Sequence, residues 1–182
     1  MGTLEPDPGA YRETPVTKQP LLDVEITRRG SAWEDVRDEN LVRAARAAFA
    51  AADEDLRPSE VSLLLTDDEE IATLNKTWRG KDGPTNVLSF PLDAPTCDDG
   101  PRALGDVVLA RETVAREAAS HGIPAGQHAA HLVVHGILHL KGYDHEGEQE
   151  AGEMEGLEVR IMATLGFPDP YSNESAAQDK DQ

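Results

Sequence analysis

The segment His135-Gly-Ile-Leu-His139-Leu-Lys-Gly142-Tyr-Asp-His145 carries three histidines. His135 and His139, four residues apart, stack on one face of an α-helix, about 6 Å apart along its axis. Gly142 offers the left-handed turn that commonly stops a helix. The chain can fold back there and carry His145 to the same point. Three neutral imidazoles around one cation, with one position left to water, form the ligand set of a catalytic zinc site. The bland alternative is a hydrogen-bonded structural cluster. That account suits a lone histidine on an apolar helix better than an i,i+4 pair with a third histidine past a glycine stop. A purely structural zinc fits less well, because closed sites are cysteine-rich and Cys97 is the one cysteine of the chain. Three histidines also suit nickel, copper or iron.

A second segment, Trp78 to Pro91, joins a helix to a strand. It concentrates Arg79 and Lys81 in a chain of 35 acidic and 17 basic side chains. Arg79 can form a two-pronged bond to phosphate; its bland role is a basic residue matched to the dipole of a helix end. Thr85 and Ser89 have no base paired with them in sequence and read as turn and strand residues. Asp144, beside His145, can orient a histidine or touch a water, or else cap the turn after Gly142. Gly136 is the odd residue of the histidine helix. A mid-helix glycine costs roughly 1 kcal/mol relative to alanine, and it usually marks close approach of another backbone or a ligand.

Periodicity supplies the elements that must hold these residues. Leu21 to Arg28 alternates as a strand, with Leu22, Val24 and Ile26 on one face. Asn40 to Ala52 reads as a helix with a stripe of Leu41, Ala45, Phe49 and Ala52. Ser59 to Leu65 is strand-like. Thr66-Asp-Asp-Glu69 reads as a capping box opening a helix that runs to about Trp78. Val87 to Phe90 and Leu104 to Ala110 are short strands, and Arg111 to His121 is a helix. The histidine helix begins near Pro124, with Leu132, Ile137 and Leu138 facing inward. Glu148 to Leu165 is the last helix, with Met154, Leu157, Ile161 and Leu165 inward and Gly166 as its stop. This order predicts an α/β (α+β) domain: a small mixed sheet of about four strands packed with about five helices, the metal site on a late helix and the turn after it.

Length and charge set the frame. The 182 residues suit one domain, residues 20–169, between a flexible N-terminal arm, 1–19, and a polar tail, 170–182. No run reaches the length of a membrane span. The N-terminus lacks the basic and apolar regions of a secretory signal, and Pro6 stands where a myristoylation motif wants Ser or Thr. A lone cysteine fits a reducing cytoplasm. A net charge of −18 argues against broad, non-specific nucleic-acid binding but leaves room for a local basic cleft.

The segment Arg79–Pro91, the strand Leu104-Gly105-Asp106-Val107-Val108-Leu109 and the block from His131 to His145 together resemble the YbeY family, bacterial endoribonucleases linked to ribosomal RNA maturation. The resemblance spans roughly Leu21 to Gly166. It implies one Zn2+ per chain held by His135, His139 and His145. It implies that Arg79 binds or positions RNA, and that single-stranded RNA is the substrate, notably the 3′ end of the small-subunit ribosomal RNA (16S rRNA). The implied partners are the small ribosomal subunit and its assembly factors, with no DNA and no membrane. Asn86 stands where family members carry Asp or Asn, and His131 also fits the pattern. The residues themselves place His131 only as a support for the ligands or as a structural residue.

The expected reaction is metal-assisted phosphodiester hydrolysis. Arg79 would offset charge developing on the phosphate, and Asp144 is the candidate to act beside it. Two rivals stand against it. The spacing of His135, His139, Gly142 and His145 matches the metzincin peptidase pattern, but Gly136 occupies the place of that pattern's catalytic glutamate. Without that base, zinc proteolysis is crippled. The other rival is a ribosome-assembly factor with a structural metal, docked through its negative surface to a basic ribosomal protein.

Overall fold

The structure is a computed structural model that describes residues 21–30, 33–52, 57–92, 100–144 and 147–172. The expected N-terminal arm, Cys97, His145 and residues 173–182 of the expected tail lie outside the described residues.

The elements follow the expected order: β1 (Leu22–Arg28), α1 (Asp38–Ala52), β2 (Ser59–Thr66), α2 (Asp68–Arg79), β3 (Val87–Pro91), β4 (Arg102–Ala110), α3 (Arg111–His121), α4 (Ala125–Leu140) and α5 (Glu148–Thr164). Among the described residues, four strands form one mixed sheet in the order β1-β2-β4-β3. β1 and β4 run parallel to β2, and β3 is antiparallel to β4. The chain therefore belongs to the mixed α/β class expected from its sequence.

Alternation on the central strand decides the layers. Val61, Leu63 and Leu65 of β2 are buried and join Leu41, Ala45 and Phe49 of α1 in the main core. Val133, Val134, Ile137 and Leu138 of α4 and Met154, Ile161 and Met162 of α5 complete that core. A smaller cluster of Ile71, Leu88, Val108 and Ala110 lies apart, under α2. Removing a Leu or Ile side chain from water contributes about 1.5–3 kcal/mol, so α4, with Ile137 and Leu138 fully buried, is firmly held. This matters because its partly exposed edge carries the histidines.

The start of α2 differs from expectation by one residue. Asp67 is the N-cap, and its Oδ1 accepts from the Glu70 backbone N–H at 2.9 Å. Thr66 remains in β2, paired with Ala110 of β4. A place in the ladder satisfies its backbone, so the capping motif shifts one residue on.

Candidate functional site

α2 ends where the phosphate-binding arginine was expected. Gly80 takes a left-handed conformation (φ 67°) and closes the helix on Lys76, leaving Arg79 as its last residue. The buried Asn75 donates from Nδ2 to the Gly83 carbonyl at 3.0 Å, which ties the following loop to the helix. At the far end of the loop, Asn86 Oδ1 accepts from the Val87 N–H at 2.7 Å, and Asn86 Nδ2 donates to Glu117 Oε2 at 3.0 Å. Both ends of the loop are fixed, so Arg79 projects from a rigid frame.

α4 stops as its sequence predicts. The Gly142 N–H (φ 88°) bonds the His139 carbonyl at 2.9 Å, and the Tyr143 N–H bonds the Leu138 carbonyl at 3.0 Å. This double closure turns the chain sharply after Leu140. Arg79, His135, His139 and Asp144 then line one cleft of about 720 Å³, together with Thr85, Asn86, Ser89 and Tyr143. Lys81, paired with Arg79 in the sequence reading, does not line it.

The two histidines meet through their outer nitrogens, with His135 Nε2 3.0 Å from His139 Nε2 and the rings near perpendicular at 79°. On its other side, His135 Nδ1 donates to Glu158 Oε1 at 2.8 Å. A carboxylate that accepts from Nδ1 sets the tautomer and presents Nε2 as a lone pair. Two nitrogens held 2.0–2.1 Å from one tetrahedral zinc lie about 3.3 Å apart, so this pair fits such an ion with little adjustment. Among the described residues no group of three metal-ligating side chains comes together. The third expected ligand, His145, is outside them, three residues beyond Gly142.

Glu158 is the site residue that sequence reasoning missed. It is fully buried on α5 and accepts from His131 Nε2 and His135 Nδ1, each at 2.8 Å, and from the Tyr171 hydroxyl. Burial by itself would raise its carboxyl, but the hydrogen bonds from His131, His135 and Tyr171 and the attraction of His131 outweigh it, bringing the pKa to about 2. It stays ionised and serves as an anchor for two imidazoles. A signal was present: Glu158 falls four residues after Met154 and four before Met162, on the buried face of α5. A lone acid on such a face is rarely unpaired. Tyr171, inside the segment expected to be a loose tail, packs edge-on against His131 at 5.6 Å between ring centres.

Gly136 has its reason in packing. A Cβ there would lie 2.7 Å from Val107 Cγ1 and 3.1 Å from Ser89 Oγ. The close approach comes from side chains of β3 and β4, not from a backbone or ligand. Gly136→Ala is expected to lower stability by about 1–3 kcal/mol, despite alanine's better helix propensity, and a thermal melt checks this. A longer side chain, such as the glutamate of a zinc peptidase, has still less room. The structure therefore gives the peptidase reading no support.

A neighbouring pair reports on pH. His128 donates to Glu117 Oε2 at 2.8 Å. Burial holds its imidazole below the usual 6.5, against the opposing pull of Glu117. A folded value below the unfolded one means that stability from the neutral ring is present above pH 6.5 and is lost as the pH falls. The acid-side fall in Tm, followed from about pH 7 to about pH 5, is expected to be shallower in His128→Gln. An unchanged slope would assign that titration to other groups.

With this geometry in place, likenesses to other proteins gain meaning. The sequence model of the family described as Endoribonuclease YbeY matches residues 26–166. An Endoribonuclease YbeY of Bradyrhizobium sp. is 48% identical over 162 residues, covering 86% of this chain and 96% of its own length. The Bradyrhizobium diazoefficiens protein of that name is 45% identical, covering 90% and 93%. That of Nitrobacter winogradskyi is 53% identical, covering 87% and 83%. The solution structure of a Thermotoga maritima protein shares the fold, with a TM-score of 0.50 at 24% identity, over 81% of this chain and 97% of that one. The matched region runs from β1 into the turn after α5 and contains Arg79, His135, His139, Asp144 and Glu158, and the chain belongs to the YbeY endoribonuclease family.

Proposed function

We propose that this protein is a zinc-dependent endoribonuclease that cuts single-stranded RNA, acting in maturation of the 3′ end of small-subunit ribosomal RNA. Its family supports RNA cleavage. The observation that carries the site assignment is the single cleft lined by Arg79, His135, His139 and Asp144. An arginine fork and a pair of imidazole lone pairs facing one space suit a phosphodiester held between a cation and a guanidinium.

His135 and His139, together with His145, would hold the metal, which when bound supplies Lewis acidity toward a phosphoryl oxygen and a water. The rest of the work falls to the chain. Arg79 binds the phosphate and offsets the charge that grows on it. Glu158 keeps the Nδ1 proton of His135 and so aims Nε2 at the cleft. Asp144, on the wall beside Tyr143, accepts a hydrogen bond from the attacking hydroxyl and orients it. The net charge of −18 favours docking beside basic ribosomal proteins of the small subunit or its assembly factors, with Arg79 as the local contact for RNA. Among the described residues no helix is long and apolar enough to cross a membrane.

End-labelled single-stranded RNA carrying the small-subunit 3′ sequence tests the proposal. The zinc-loaded protein is expected to cleave it and to spare the same sequence in a duplex. EDTA should abolish cleavage, and stoichiometric zinc should restore it. Cleavage indifferent to chelation would remove the metal from the reaction. No cleavage by fully loaded protein would favour the non-catalytic assembly role.

A further inference from the structure

We propose that Trp78, braced by Phe90, is a stacking platform for an unpaired base next to the phosphate held at Arg79. The proposal rests on the RNA-cleaving reading above and names the contact that selects single strands. Trp78 is 69% exposed, and with Leu92 it is one of two exposed large apolar side chains among the described residues. The chain's other tryptophan, Trp33, is buried at 4%. A large indole left in water beside a cleft is informative in a way that a scattered surface leucine is not.

Its position gives it a partner. Trp78 immediately precedes Arg79, and both line the cleft that holds His135 and His139. A ring one residue from the phosphate-binding fork sits within reach of the base attached to the neighbouring nucleotide. The ring is also braced. Phe90 of β3 meets it edge-to-face, with centres 6.1 Å apart and planes at 64°. The helix end that carries Trp78 is fixed by Gly80 and by the Asn75–Gly83 bond. A platform already ordered loses little freedom when a base settles on it.

Charge points the same way. With 35 acidic and 17 basic side chains, this chain gains little from general attraction to a phosphate backbone. Affinity must come from the local guanidinium and from a term that charge does not oppose. Base–aromatic stacking is such a term and is sequence-tolerant, since every base has a π-face. It also discriminates against duplexes, whose bases are already stacked on one another.

The test uses the full zinc-loaded chain and a 2′-O-methyl single-stranded RNA octamer, with a gel to confirm that it stays intact. Anisotropy of a labelled octamer gives Kd, and tryptophan emission is followed with unlabelled octamer. The wild type should bind with quenched emission, while an octamer lacking its bases should leave emission unchanged. Trp78→Ala should bind about tenfold more weakly with a Tm lowered by no more than about 5 °C, the loss of the Phe90 contact, and Trp78→Phe should restore most of the affinity. If the wild type binds without quenching and Trp78→Ala binds equally well, the platform is wrong and the RNA reading stands. If the wild type binds no octamer at all, both fall. If the wild type sediments as a dimer and Trp78→Ala as a monomer, with equal RNA affinity, the ring packs on a second copy and the proposal is overturned.

Discussion

Arg79→Ala should fold and melt like the wild type yet cleave RNA about 10²- to 10³-fold more slowly, the loss seen when one donor to a developing oxyanion is removed. The reasoning begins with its surroundings. Arg79 is exposed at the end of α2 and makes no ion pair with the described residues. Its structural worth is limited to the helix dipole, about 0.3–1 kcal/mol at such a site, which a thermal melt would barely register. Its chemical worth comes from sharing one cleft with His135 and His139. Arg79→Lys separates charge from shape. Lysine keeps the cation but loses the planar fork, so its activity should fall between the other two. Single-turnover cleavage at matched zinc content, read beside Tm, decides the matter. Slow cleavage with a wild-type Tm places the guanidinium on the substrate. Equal cleavage would move the reaction elsewhere.

Glu158 should behave differently, because it is buried and bonded on three sides. Glu158→Ala strands the N–H groups of two histidines and the Tyr171 hydroxyl, and is expected to cost about 3–5 kcal/mol of stability, the range for breaking a buried charge network. Glu158→Gln is the sharper probe. The amide keeps the size of the carboxylate but has one acceptor oxygen, so it cannot satisfy both His131 and His135 in their present tautomers. Zinc affinity should fall about 10- to 100-fold, as is typical when a ligand's supporting hydrogen bond is lost. Competition with a chromogenic chelator measures this without reference to cleavage. A Gln variant with lower Tm and unchanged zinc affinity would make Glu158 a core residue only. Tyr171→Phe removes the third bond and should show the same effects in smaller measure.

The two residues were also legible in the sequence to different degrees. Arg79 announces itself as a cation in an acidic chain at a helix end. Glu158 is one of 35 acidic side chains, marked only by its place on the apolar face of α5. Its histidine partners lie 23 and 27 residues before it along the chain, and Tyr171 lies 13 after it. The expected capping box was misplaced by one residue for a related reason. Thr66 could cap a helix or end a strand, and its pairing with Ala110 across the sheet decided between them.

By itself the sequence determined what repeats locally. Helix geometry puts His135 and His139 on one face, Gly142 ends that helix, and alternation marks the buried side of β2. Each depends on residues within a turn or two, where backbone geometry leaves few choices. Only the tertiary structure decided that Gly136 must stay bare against Val107, that Glu158 fixes His135, and that Arg79 lines the same cleft as the histidines. Those contacts follow from the strand order β1-β2-β4-β3, which seats β3 at the sheet edge and brings its Ser89 against Gly136 of α4. No periodicity encodes that order. It is selected by burying the faces of the sheet and helices together, a property of the whole chain.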